Sequence, residues 1–242
     1  MEKSNEIIPL FNNAREIIQP IRLNYNIKNP NQVIKKIYKL KCIGKEGEVY
    51  NWYYSNEVLK TGYKIEEKTK MFESWILGKI RIRAAELKIT VNSIERAILA
   101  IEFFDNHIGK TNLWLETMDM YTKLREHKQE NANYYLHLEN FFENKPIKPR
   151  ISKKEKEILD ALMDKKLDKK TKDIKLSQFM EVTANKKESE YENFEPTLYH
   201  EEGIESLKTS LTYSQLLAYR HLQGETDLTM RQMIAETVSR LR

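Results

Sequence analysis

Five histidines, a single cysteine and a dense run of lysines are the residues of this chain whose types could do chemistry, and their spacing sorts them quickly. His107, His127, His137, His200 and His221 show neither the i, i+4 pairing of a helical metal site nor an HExxH motif. Asp105 with His107, and His200 with Glu201 and Glu202, gather potential ligands, but no second cluster accompanies either group, so polar residues at a helix end and in a linker explain them. Only 7 glycines are present, and no phosphate loop, dinucleotide fingerprint or GxSxG is among them. No cofactor and no metal are therefore expected. The pattern points away from an enzyme, while a nuclease-like site assembled from acidic residues on distant strands stays open as a third reading.

The lysines carry a stronger signal. Lys148, Arg150, Lys153, Lys154, Lys165, Lys166, Lys169, Lys170 and Lys172 fall within one short stretch of a chain whose formal charge is only +5. Such a concentration is suited to phosphate contacts along a nucleic-acid backbone, without base reading. The competing reading is a solvated helix and linker. Tyr50, Trp52, Tyr53 and Tyr54 lie near Lys39, Lys41 and Lys45 and could stack bases. The strand face shared by Tyr50, Trp52 and Tyr54 makes those three packing residues instead.

The elements that must position these residues are clearest between Trp75 and Gly109. Ile80, Ile82, Leu87, Ile89 and Val91 alternate with charged or polar neighbours, which is the period of a hairpin. Beyond Asn92 the period changes: Ile94, Ala97, Ile98, Ile101, Phe104 and Ile108 line one face of a helix that Asn92 and Glu95 would open and Gly109 would end. A helix-turn-helix reading of the same residues is opposed by Lys88, which occupies the position of the turn glycine. Upstream, Asn29 and Pro30 open another helix, and two β-rich runs flank Gly44 to Gly47. The fold expected is α+β: a four-stranded antiparallel sheet from two hairpins with flanking helices, followed by a mainly helical C-terminal part.

Around this centre the chain divides into residues 1–28, an arm with a short helix between Pro9 and Pro20; 29–145, the α+β domain with a helical extension over Thr111 to Asn144, at whose start Leu113, Leu115, Met118 and Met120 also allow a strand; 146–196, a basic helix opened by Ser152 and Glu155 and a polar linker; and 197–242, a helical hairpin. In that hairpin Leu211-Thr212 with Gln215 and Leu228-Thr229 with Gln232 repeat a capping box behind a hydrophobic staple. The repeat resembles the first two helices of winged-helix transcription regulators over about the last thirty residues, and that resemblance implies a helical pair preceding a recognition helix. Leu216, Leu217, Met233, Ile234, Val238 and Leu241 form apolar stripes on the pair, suited to a protein partner or a homodimer.

Cys42 alone excludes an intramolecular disulfide, and no apolar run approaches the roughly 20 residues of a membrane span. With no signal-peptide core at the start, a cytoplasmic protein that does not engage membranes is expected. The function expected is a non-enzymatic accessory or adaptor protein that touches nucleic acid through its lysines. The alternative is a protein-interaction subunit without nucleic-acid contact.

Overall fold

The computed structural model of the chain describes residues 7–65, 75–127, 138–163, 168–184, 186 and 188–240. A strand, β1 (Ile21–Ile27), leads to helix α1 (Pro30–Ile37), where the Asn29 side chain accepts from the Gln32 amide at 3.3 Å as its sequence foretells. β2 (Ile43–Glu46) and β3 (Val49–Tyr53) form a hairpin, and a short helix α2 (Asn56–Leu59) follows. The second hairpin, β4 (Ile76–Arg83) with β5 (Glu86–Val91), feeds α3 (Ile94–Ile108) as expected. The residue that caps α3 is Ser93, accepting from the Arg96 amide at 3.2 Å, and Gly109 ends it at φ +89°, a conformation glycine adopts without strain. Then come β6 (Leu113–Tyr121), β7 (Lys148–Pro149), α4 (Lys153–Met163), α5 (Lys169–Ala184), β8 (Tyr191–Phe194), α6 (Thr197–Glu202), α7 (Ile204–Leu222) and α8 (Met230–Arg240).

The strands join in one eight-stranded sheet of order β2-β3-β4-β5-β1-β6-β8-β7, antiparallel except that β7 runs parallel to β8. The α+β class stands, but the sheet of four strands from two hairpins does not. β1, expected as an extended arm, lies at the centre between β5 and β6. The start of the Thr111 to Asn144 run, where helix is favoured and a strand is the alternative, supplies β6, and a bulge explains the ambiguous spacing. Leu115 pairs with Tyr25 and Thr117 with Asn24, leaving Glu116 as an extra residue, so Leu113, Leu115, Met118 and Met120 reach the core with a phase slip that imitates helical spacing. The supposed polar linker after Asp173 likewise holds the second half of α5 and all of β8. Between Pro9 and Pro20 the chain makes bridges, Pro9 with Glu126 and Phe11 with Ile17, where a short helix was expected. Leu87 to Val91 lie in a strand, which removes the helix-turn-helix alternative.

Register explains the two faces of the sheet. On one, Ile80, Ile89, Leu23 and Met118 follow one another across neighbouring strands, and α3 buries Phe103 and Phe104 against Trp52 at ring centroids 5.4 Å apart. Trp52 and Tyr50 are thus buried packing residues, as their strand face indicates. Gly78 lies between Trp52 and Val91, where an added Cβ would meet the Val91 side chain at 2.9 Å. The opposite face carries Lys79, Thr90, Arg22 and Asp119 in one row and Arg81, Lys88 and Asn24 in the next. Part of it is covered by residues 138–150, whose Phe142 packs with Tyr121 and Tyr191 while Glu143 pairs with Arg22 and Arg81. A buried ionic cluster pins the N-terminal segment to α3: Glu16 accepts from Arg96 Nε and from Ser93 Oγ, each at 2.9 Å, and also from Tyr63 and Asn12.

Among the described residues no helix is long and apolar enough to cross a membrane.

Candidate nucleic-acid interface

The lysine-rich stretch is tied to the edge of the sheet by charged groups that the core excludes. Lys148 pairs with Glu192 and Pro149 with Asn193 in the parallel β7 and β8 ladder. Arg150 extends the tie, its amide donating to the Asn193 carbonyl at 2.7 Å and its Nε to Glu192 at 2.9 Å, with the guanidinium 4.2 Å from the centre of the Phe194 ring. Helix α4 then begins as a full capping box: the Ser152 amide donates to Glu155 at 2.6 Å and the Glu155 amide to Ser152 Oγ at 3.3 Å. Lys186 donates to both Glu155 oxygens, at 2.9 and 2.8 Å, and to the Arg150 carbonyl. Burial alone would raise the Glu155 carboxyl, but the Lys186 ammonium and the Ser152 hydroxyl and amide outweigh it and hold the group below the usual range.

On this support the structure brings most of the expected lysines together. Lys148, Lys153, Lys154 and Lys170 are exposed and Lys172 is half-buried. Among the described residues none of these five side chains has a carboxylate partner, whereas neighbouring Lys156 pairs with Glu195 at 2.6 Å. Helices α4 and α5 pack on each other, so their lysines belong to one lobe of the molecule. Lys153 and Lys154 stand in the first turn of α4, and Lys169, Lys170 and Lys172 at the start of α5. The helix dipole disfavours cations there, so helix stability does not account for them. Lys169 is placed by its backbone only, and Lys165 and Lys166 lie outside the described residues. Arg150 is brought to the same lobe, but its guanidinium is committed to Glu192 and Phe194.

The apolar residues expected to bind a partner divide by orientation. Leu217 and Met233 are fully buried, while Leu216 and Ile234 are each 42% exposed. Val238 is placed by its backbone only, and Leu241 lies outside the described residues. Thr229 caps α8 as expected, accepting from the Gln232 amide at 3.3 Å while Gln232 accepts from the Thr229 amide at 2.8 Å. The other box is not an N-terminus. α7 starts at Ile204 because Leu207 and Leu211 both enter the main core, and Thr212 sits within the helix, its hydroxyl donating to the Lys208 carbonyl.

No known protein family, curated protein or solved structure matches the chain. The geometry of its own residues therefore carries the functional reading. Among the described residues no group of three or more His, Cys, Asp or Glu side chains is placed to hold a metal ion.

One feature the sequence did not announce adjoins the lysine lobe. A cleft of about 530 Å³ opens between α4 and α5 on one side and α7 and α8 on the other, with Arg150, Glu155, Lys186, Glu188 and Glu192 along it. Burial first, and then the neighbouring Glu192 carboxylate, push the Glu188 carboxyl up to about 7, against the pull of Arg150 and Lys123. The capping box marks Glu155 in the sequence, and the run Tyr191-Glu192-Asn193-Phe194 carries some strand signal. Nothing local relates Lys186 or Glu188 to α8.

Proposed function

We propose that the protein is a non-enzymatic accessory protein that binds nucleic acid through phosphate contacts of the lysines on β7, α4 and α5. The observation that carries this reading is the set of five lysines on adjoining elements, Lys148, Lys153, Lys154, Lys170 and Lys172, without carboxylate partners among the described residues. Lysines gathered on one lobe, with the positive ends of two helices beneath them, produce a local potential that attracts a polyanion, and binding gains free energy from counterions the nucleic acid releases. These lysines are assigned phosphate contacts and no base-edge contact, so the reading is of a sequence-tolerant backbone binder.

Replacing Lys153, Lys154, Lys170 and Lys172 together with Gln tests it by fluorescence anisotropy of a labelled duplex across a potassium chloride series. Affinity at low salt should fall, and the log-log salt slope should flatten by up to about four, since each lost phosphate contact removes roughly 0.9 of a released counterion. An unchanged slope assigns the binding, if any, to another surface.

A second reading, a protein-interaction subunit, draws on the outward-facing Leu216 and Ile234 of the C-terminal helices. Sedimentation of the free protein separates the two: a concentration-dependent dimer lost on Leu216→Ser or Ile234→Ser favours this reading.

A further inference from the structure

The cleft beside the lysine lobe has the build of a ligand site that is separate from any phosphate contact. Its volume of about 530 Å³ falls within the range that holds small organic molecules. Apolar and aromatic groups arrive from four different elements or their junctions: Ile151 before α4, Phe179 from α5, Tyr213 from α7, and Met230 and Ile234 from α8. Polar groups, among them Ser210, Ser214 and Thr229, supply the smaller share of the exposed wall, and most of the charged ones are already used. Arg150 is paired with Glu192, Lys186 is paired with Glu155, and Arg231 at the exposed rim has a partner of its own. Glu188 is the exception. Half-buried in the wall, it has no hydrogen bond or ion pair among the described residues, and a second carboxylate, Glu192, opposes its charge while Arg150 and Lys123 act on it only at longer range.

We propose that this cleft binds an amphipathic organic cation, an amine or amidinium on an apolar body, with Glu188 as its counter-ion. The charges within the cleft decide between a cation and an anion. An anionic ligand would have to take Arg150 or Lys186 from the buried carboxylates Glu192 and Glu155, leaving those charges without a partner, which is a costly arrangement. A cationic head leaves both pairs intact, gives Glu188 a direct partner and offsets its repulsion with Glu192. The apolar body meets Phe179, Met230 and Ile234, and because α8 forms one wall, an occupied cleft would hold the C-terminal helix against the lysine lobe.

The test uses the full chain and a fluorescent probe with these two features, dansylcadaverine, beside its N-acetylated neutral form. The amine should bind saturably at a single site, about tenfold or more tighter than the acetylated probe. Glu188→Gln should erase that preference while leaving the weak binding of the neutral probe in place, and Ile234→Trp, which fills the cleft from its exposed side, should weaken both. Equal binding of the two probes, a preference that survives in Glu188→Gln, or no saturation of the wild-type chain up to about 1 mM would each overturn the proposal. Because Glu188 has no hydrogen-bond or ion-pair partner among the described residues, the fold of Glu188→Gln is expected to hold, and a thermal melt of the variant verifies this. Duplex binding measured on the same variant stays as in wild type, so the two readings fail or succeed separately.

Discussion

At the scale of single residues, two carboxylates show how differently burial can be met. Glu16 and Arg96 are 9% and 4% exposed, and the carboxylate is saturated by the Arg96 guanidinium and three neutral donors. Glu16→Ala would leave the guanidinium buried without its counter-ion, so denaturant unfolding should show a loss of about 3–5 kcal/mol. Glu188 works in the opposite sense. Its carboxyl is raised from 4.5 to about 7, so the folded state holds a proton there more tightly than the unfolded chain does. That contribution is fully present below the ordinary value and is lost as pH rises through the folded one. Glu188→Gln should therefore be more stable than wild type near pH 8, by about 1–3 kcal/mol, with the gain shrinking towards zero near pH 4. Melting curves of the two proteins across that range measure the difference.

At the scale of elements, two sequence boxes that look alike occupy different places. The Thr229 hydroxyl accepts from the Gln232 amide at the start of α8, and Thr229→Ala should lower stability by about 1 kcal/mol. Thr212 is exposed within α7, and its hydroxyl only returns a bond to the Lys208 carbonyl. Thr212→Ala should be neutral or slightly stabilising, by up to about 0.5 kcal/mol, because alanine is the better helix former. Chemical denaturation of the two single variants side by side distinguishes the cap from the helix interior. Sheet strands divide the same way by position. Leu23 sits in β1 with neighbours on both sides, so Leu23→Pro removes a ladder donor at the centre and should prevent folding, whereas β2 is an edge strand and Lys45→Pro should cost far less. Soluble yield and far-UV circular dichroism report both outcomes.

At the scale of the whole molecule, the sheet is the organiser, and it takes strands from widely separated parts of the chain. β1 comes from near the N-terminus, β6 from the middle and β8 from the segment before the C-terminal helices, so no contiguous piece of the sequence holds the sheet by itself. The lysine lobe is attached at the far edge, through β7 and β8, where the ionic pairs of Arg150 and Lys186 take the place of a large apolar core. α7 places Leu207 and Leu211 in the main core, which ties the C-terminal segment to the rest of the fold.

What the sequence determined by itself was local: the β4–β5 hairpin and α3, whose periods of two and 3.6 meet at Asn92; the Asn29 cap and the capping boxes at Ser152 and Thr229; the packing role of Trp52; and the density of lysines after Lys145. These follow from neighbours a few residues apart, and so they can be read along the chain. The central place of β1, the bulge that disguises β6, the recruitment of β8 from a polar segment, and the cleft around Glu188 were decided by tertiary structure. Their partners are distant in sequence: Leu23 meets Ile89 and Met118, and the wall opposite Glu188 is built by α7 and α8. A strand's register and a residue's burial depend on which distant surface becomes available when the sheet assembles, and local pattern contains no record of that choice.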